Sequence, residues 1–455
     1  MKKLQQLALL FAVMFVGYAC GDDDNGGETT PKEQFTVTEA NGVATIEGST
    51  DENVTFSSNK KYLLKGFVYV KAGATLTIQP GTVIKGDKVS MGTLIIERGA
   101  KIMAQGTAQN PIVFTSNQAK GNRNPGDWGG IIILGAAPIN LPSEKAKIEG
   151  GVNRPYGGTN AADNSGVLSY VRIEFPGIAF QPDNEINGLT LGGVGNGTQI
   201  DHIQVSFCGD DSYEMFGGTV NAKYLIAYKT VDDMFDTDNG YSGNMQYLLG
   251  ISDPASADAS GSNGFESDGD ADGTDNTPKT SAVFSNVSLF GPLATANTTV
   301  NTNFKRAMHI RRNSNISVYN SLFAGWPVGL LLDGTKTQAN ATAGTLKIQN
   351  TVISGVPAGK ALTVESGGTY DVATWFNATA KANQVIADNA TLGISGSFNQ
   401  TTRPNFSIGT QLQTGASFTG MPSFFTTTGT YIGAFASGQD WTAGWANFDP
   451  KNTDY

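Results

Sequence analysis

Cysteine is almost missing from this chain: only Cys20 and Cys208 occur among 455 residues. Because Cys20 closes an N-terminal apolar run, no intrachain disulfide framework is expected in the mature protein. Charge is also scarce. Asp, Glu, Lys and Arg together make up 15 % of the chain, against roughly 25 % in average domains. That argues against coiled coils and charged helical arrays. No basic cluster offsets the formal net charge of −10, so nucleic-acid binding, which needs a basic face, is excluded. An acidic surface favours cations or neutral polymers instead. Histidine is limited to His202 and His309, a poor inventory for acid–base catalysis. No segment reaches 18 consecutive apolar residues, so the body is not expected to form a transporter that spans a membrane. Glycine, by contrast, is abundant at 57 residues, well above the roughly 7 % average share. It shows no three-residue period, which excludes collagen.

The first 19 residues read as a signal peptide, with Lys2 and Lys3 ahead of an apolar run from Leu7 to Val16. The run ends at Gly17-Tyr18-Ala19-Cys20, which resembles the lipobox of bacterial lipoproteins, Tyr18 standing where a smaller residue is usual. The resemblance implies lipidation of Cys20 and a membrane anchor. The acidic, glycine-rich stretch after Cys20 reads as a flexible tether over residues 20–34. It is similar to the signals that send lipoproteins to the extracellular face of an outer membrane.

The body is built from pieces of strand length. Phe67–Val70, Ala74–Ile78, Val83–Ile84, Thr93–Ile96, Lys101–Ala104 and Pro111–Thr115 are apolar or alternating, and Gly or Asn turns separate them. Leu76 and Leu94 are 18 residues apart, as are Ile96 and Phe114. One coil of a parallel β-helix takes roughly 18–25 residues. A β-sandwich would place hairpin signals between all strand pairs, and Asn41-Gly42, Asn187-Gly188, Asn239-Gly240 and Asn263-Gly264 do not do so. A second repeat is sharper. Asp210-Asp211-Ser212-Tyr213-Glu214-Met215-Phe216 returns 22 residues later as Asp232-Asp233-Met234-Phe235-Asp236. In a solenoid this offset stacks equivalent side chains about 4.8 Å apart, giving an acidic ladder on one face.

The expected fold is therefore all-β: a single-stranded right-handed parallel β-helix, or solenoid. Residues 35–60 form an N-terminal cap, 61–430 the helix and 431–455 an aromatic C-terminal cap over the open apolar end. Later coils begin at Ala282, Asn315 and Leu346, with mid-run Asn or Ser suited to stacking in turns. Asp371–Phe376 is the start of a short helix.

Four runs carry a family resemblance: Gly73-Ala74-Thr75-Leu76-Thr77-Ile78-Gln79-Pro80-Gly81, Gly126-Asp127-Trp128-Gly129-Gly130, Gly209–Asn221 and Asp440-Trp441-Thr442-Ala443-Gly444-Trp445. The chain resembles, from about residue 60 to 455, a family of bacterial surface lipoproteins built as right-handed parallel β-helices. The resemblance implies a fold and a surface location, and supplies no activity.

Several constellations could carry chemistry. Paired Asp210-Asp211 resembles the twin aspartates of polygalacturonase-type glycosidases, which place two carboxyl groups about the glycosidic bond. Their Gly-His-Gly partner has no counterpart here. A polysaccharide lyase would instead use the nearby Lys305, Arg306, Arg311 and Arg312 to neutralise a uronate. An enzyme would thus draw on Asp210, Asp211, Asp232, Asp233 and Arg311. The alternating acids Asp268, Asp270, Asp272 and Asp275 resemble the start of a calcium loop, although Lys279 stands where an EF-hand has Glu. Glu214, Asp236, Asp238, Tyr213 and Tyr241 complete the expected ligand face. Trp128, Trp326 and Trp375 are further candidates for stacking on sugars. Cys208 reads as a buried apolar residue. Weighed together, these favour a monomeric, non-catalytic binder or structural element with polysaccharide as partner and Ca²⁺ as the one cofactor. A lyase or glycosidase using the face from Asp210 to Asp238 is the alternative.

Overall fold

The computed structural model describes residues 32–142, 146–181, 184–401 and 403–455. The signal peptide, Cys20 and the tether as far as residue 31 lie outside the described residues. Glu33–Tyr455 forms one compact unit. Short strands wind repeatedly through three parallel stacks. The first stack begins Val54–Phe56, Thr75–Ile78 and Lys101–Gln105. The second begins Val43–Glu47, Lys61–Leu64, Val83–Gly86 and Ile112–Ser116. From Gly166–Glu174 to Val283–Phe290, single strands run through both stacks, bending at a central residue, and beyond them the stacks separate again into Ser317–Tyr319 and Leu322–Ala324. The third stack is a separate sheet of 11 strands, from Ser49–Thr50 to Leu362–Val364. This is a parallel β-helix, as the strand lengths and turn spacing predict.

Alternation explains the core. Odd and even residues of a strand point to opposite faces, and the inward ones line up coil on coil. Ala104, Leu168, Ile200, Ala222, Met245, Phe284, Val318 and Ile348 form one such buried column. Each large member contributes roughly 1.5–3 kcal/mol through burial. A second column sits at the bend between the first two stacks. Tyr170, His202, Tyr224, Tyr247, Asn286, Asn320 and Asn350 all have φ between 51° and 63°. Asn tolerates this left-handed conformation best. The aromatic members gain by stacking, at centroid distances of 4.3, 4.5 and 4.9 Å along the column.

The coil length differs from the 18-residue spacing read in the sequence. Leu94 pairs with Val68 and Ile131, not with Leu76, and Leu76 pairs with Ile102. Leu76 and Leu94 lie on the first and third faces of one coil, with Val83–Gly86 on the face between them. Every face has the same apolar pattern, so spacing alone does not separate the next face from the next coil. The 22-residue repeat, by contrast, is a coil: Tyr213 pairs with Phe235 and Glu214 with Asp236.

Both expected caps need correction. Parallel pairing already begins at Val43–Glu47, inside residues 35–60, and only Thr36–Ala40 folds back antiparallel. At the other end, the last paired strand is Gln384–Ile386. Residues 431–455 do not close the open end. They continue a strap that runs back along the side of the helix, crossing coil after coil. Gly415 meets Asn350, Ser417 meets Asn320, Thr426 meets Gln246, and Asn447 meets Gln204. Tyr455 finally reaches Glu174, with 2.5 Å between hydroxyl and carboxyl oxygens. Outward amides at the bends offer hydrogen bonds that a passing chain can use, and the strap aromatics bury against the stacked rings. Two α-helices among the described residues interrupt the pattern. Val372–Phe376 is capped by the Asp371 side chain, which accepts from the N–H of Thr374. Thr335–Ala343, which apolar spacing does not reveal, is the other. Among the described residues, no helix is long and apolar enough to cross a membrane.

Candidate functional site

The third sheet carries the acidic ladder. In Tyr213–Phe216, Tyr213 and Met215 point inward and Glu214 outward. Parallel register then places Asp236 beside Glu214, Glu266 beside Asp236, and His309 beside Glu266. Phe216 and Asp238 are neighbours in the next outward row. The turn entering this sheet supplies the paired aspartates. Asp211 accepts the backbone N–H of Asp233 at 2.8 Å, and Asp233 accepts that of Asn263. The second acid of each pair is thus partly a rung that closes the next turn, while all four acids line the cleft.

The cleft measures about 510 Å³. Besides the predicted acids it is lined by Glu149, Glu185, Asp258, Glu266, Arg306 and His309. Sequence reading named Arg306 and did not place the other five in the site, yet one signal was there: Phe265-Glu266-Ser267-Asp268 copies the pattern of Phe235-Asp236-Thr237-Asp238. Burial, with mutual repulsion added, raises the pKa of nearly every carboxyl here. Asp210 is pushed well up by burial and by Asp232. Asp211 is raised by burial and Asp233, and Glu214 by burial and Glu149. Asp233 rises through burial and Asp232, and Asp236 through burial and Glu266. Asp232 and Asp238 reach about 7, through burial and the neighbouring Asp258 and Asp268 respectively. Glu266 runs the other way. Burial would raise it, but His309 and Arg311 hold it below the usual carboxylate range.

Of the groups in the cleft that can carry positive charge, Arg311, Arg312 and His309 are already engaged, whereas Arg306 lines the cleft without a direct ion pair among the described residues. Arg311 donates through Nε to Asp268 at 2.7 Å and through Nη2 to Glu266. Arg312 pairs with Asp268 at 2.8 Å. The two ring nitrogens of His309 face Glu266 at 3.2 Å and Asp333 at 3.1 Å. Farther down the ladder, one carboxylate oxygen each from Asp210, Asp211 and Asp232 lie within 4.8 Å of one another, as do those of Asp211, Glu214 and Asp236. A set made only of carboxylate oxygens suits a hard cation such as Ca²⁺.

Three expectations are corrected. Tyr213 and Tyr241 do not belong to the ligand face. Both are buried; Tyr213 hydrogen-bonds the carbonyls of Ile203 and Ile226, and Tyr241 that of Val220. Trp128 and Trp326 are likewise fully buried, while Trp375 is part-buried under Lys381. The 268–275 loop does not gather its acids about one point. Asp268 is held by the two arginines, Asp270 accepts the N–H groups of Asp272 and Thr274, and Asp275 pairs with Lys336 and Lys279. Asp272 stays exposed. Alternating acids here close their own tight turn, which uses the lone pairs a cation would need. Cys208 is buried, as expected, and its thiol donates to the carbonyl of Asp211.

Comparison with known proteins supplies a family. The pectate-lyase-like β-helix domain matches residues 48–446. The chain belongs to that family. One solved structure, the Dettilon tailspike protein (gp208), is similar to this pectate-lyase-like chain with 10 % identity and a TM-score of 0.26. The match covers 71 % of this chain and 62 % of the tailspike. No curated protein matches in sequence.

Proposed function

We propose that this pectate-lyase-like β-helix is a displayed, non-catalytic glycan-binding protein whose acidic cleft holds Ca²⁺. The observation that supports it is the convergence of Asp210, Asp211 and Asp232, and of Asp211, Glu214 and Asp236, each set within 4.8 Å. Carboxylates that close and that buried repel unless protons or a cation neutralise them. With a cation bound, its remaining coordination positions serve hydroxyl or carboxylate groups of a polysaccharide. Binding rather than catalysis fits the occupied partners. A lyase needs a cationic group free to neutralise a uronate; Arg311 is already committed to Glu266 and Asp268, which leaves Arg306 as the cleft group to fill that role. His309 is committed to Glu266 and Asp333.

Titration of Ca²⁺ into chelator-treated protein, followed by a glycan panel with and without chelator, tests this reading. Saturable Ca²⁺ binding and chelator-sensitive glycan retention are the expected results. Absence of Ca²⁺ binding would remove the proposal. Anchoring in an outer membrane through lipidated Cys20, with the β-helix facing outward, completes it. Labelled palmitate should enter the wild-type chain and not Cys20→Ser, and external protease should reach the body in intact cells.

One observation favours a catalytic second reading: Asp232 and Asp238 are pushed to about 7. Carboxyls titrating near neutral pH suit general acid–base work on a glycosidic bond. New unsaturated or reducing ends in the glycan panel would establish it in place of pure binding.

A further inference from the structure

On another side of the solenoid, away from the third sheet, the strap and the aromatic column enclose a second cleft of about 690 Å³. Its base is made by Tyr224 and Tyr247, the last aromatic members of the bend column. The next residue in that column, Asn286, turns its amide to the carbonyls of Tyr431 and Gly433 on the strap. The strap then supplies the opposite wall through Tyr431, Gln439 and Trp441. Tyr247 and Tyr431 stand close to one another in the cleft. Trp441 stacks on Phe435 at 5.4 Å and leans on Tyr224 at 5.3 Å. Its ring N–H is taken by the carbonyl of Ala434, so it offers ring surface rather than a donor.

We infer that this aromatic cleft binds a neutral oligosaccharide. The volume lies in the range of small-ligand sites, roughly 300–1,000 Å³. Among the described lining residues, Asp440 alone is charged, and it is already paired with Arg403 at 2.8 Å and with the N–H of Thr442 at 2.9 Å. A charged ligand would therefore enter without a free counter-ion. What the cleft presents instead is ring surface beside hydroxyl and amide groups, from Tyr431, Thr426, Thr428, Thr430 and Gln439. A sugar ring has the matching character, an apolar C–H face edged by hydroxyls. This cleft stands on the first two stacks and the strap, and shares no lining residue with the acidic one. Its occupancy is independent of Ca²⁺.

The full chain in detergent, with EDTA present to silence the acidic cleft, is screened by saturation-transfer NMR. The probes are neutral oligosaccharides of glucose, mannose, galactose and xylose, uronate oligosaccharides and unstructured peptides. At least one neutral oligosaccharide should bind. Tyr431→Phe combined with Gln439→Ala should weaken it by about ten-fold or more, while Asp210→Asn with Asp232→Asn leaves it unchanged. Unaltered melting temperatures show that the variants fold, and Gln439→Ala alone, at an exposed position, should still weaken binding should the double variant fail to fold. Binding of uronates or peptides only, no binding at all, or binding indifferent to both Tyr431 and Gln439 would overturn the inference. Loss of Ca²⁺-dependent retention with this binding intact would strike the acidic-cleft proposal alone.

Discussion

Asp233 donates its backbone N–H to the carboxylate of Asp211, one coil earlier, at 2.8 Å, and passes the arrangement on by accepting the N–H of Asn263. The two acids of a tandem pair therefore have different work. Asp233→Ala should leave the buried Asn263 N–H without an acceptor and cost about 1–3 kcal/mol in denaturant unfolding. Asp233→Asn keeps a carbonyl acceptor and should recover most of that loss. Both variants should retain Ca²⁺ binding.

Asp210→Asn and Asp232→Asn should behave oppositely, with near-normal stability in chelator but weakened Ca²⁺ affinity. In wild type, Ca²⁺ at a hundred times its Kd should add about 2.7 kcal/mol of stability. Asp272→Asn, in the exposed loop whose acid spacing resembles a calcium loop, should change neither property. Calorimetric titration of the three variants distinguishes the two locations.

Stability without divalent cations should fall as pH rises. Asp210, Asp211, Asp233 and Asp236 have folded-state pKa values above their unfolded ones, and Asp232 and Asp238 reach about 7. The folded chain thus holds their protons more tightly. The stability this brings is complete below the unfolded value near 4, about the usual one, and is lost as pH climbs through about 7. Glu266 has the opposite sign and offsets a little of it. Melting temperatures in EDTA from pH 4.5 to 8.5 should decline, and Ca²⁺ should flatten the decline.

Arg311 is the counter-charge that lets Glu266 and Asp268 sit together. Arg311→Met should leave buried Asp268 and half-buried Glu266 without their shared counter-charge and cost about 3 kcal/mol or more, measured by chemical unfolding at pH 7. Lowering the pH towards 4 should restore part of the loss by protonating them.

The strap is held by side-on aromatic contacts. Trp445 meets the Tyr170 ring at 5.9 Å and the His202 ring at 5.7 Å, nearly edge-on to both. Trp445→Ala should cost about 3–5 kcal/mol. It should also raise hydrogen exchange in residues 440–455 before that of the coils.

The sequence by itself determined the coiled architecture, because a parallel β-helix is built from local rules: strand-length apolar alternation, turns rich in Gly and Asn, and a repeat that must match its coil. The 22-residue offset carried Asp210 onto Asp232 and Glu214 onto Asp236 without any coordinates. Tertiary structure decided what local pattern does not encode. Side-chain direction sent Tyr213 and Tyr241 inward, since each inward residue must fill the bore. Hydrogen bonding within a turn consumed Asp270, although its spacing suited a cation. The final aromatic residues lie along the helix rather than across its end, because the bend column, assembled from residues tens of positions apart, offers them stacked rings and free amides. Contacts of that kind exist only after the coils have stacked.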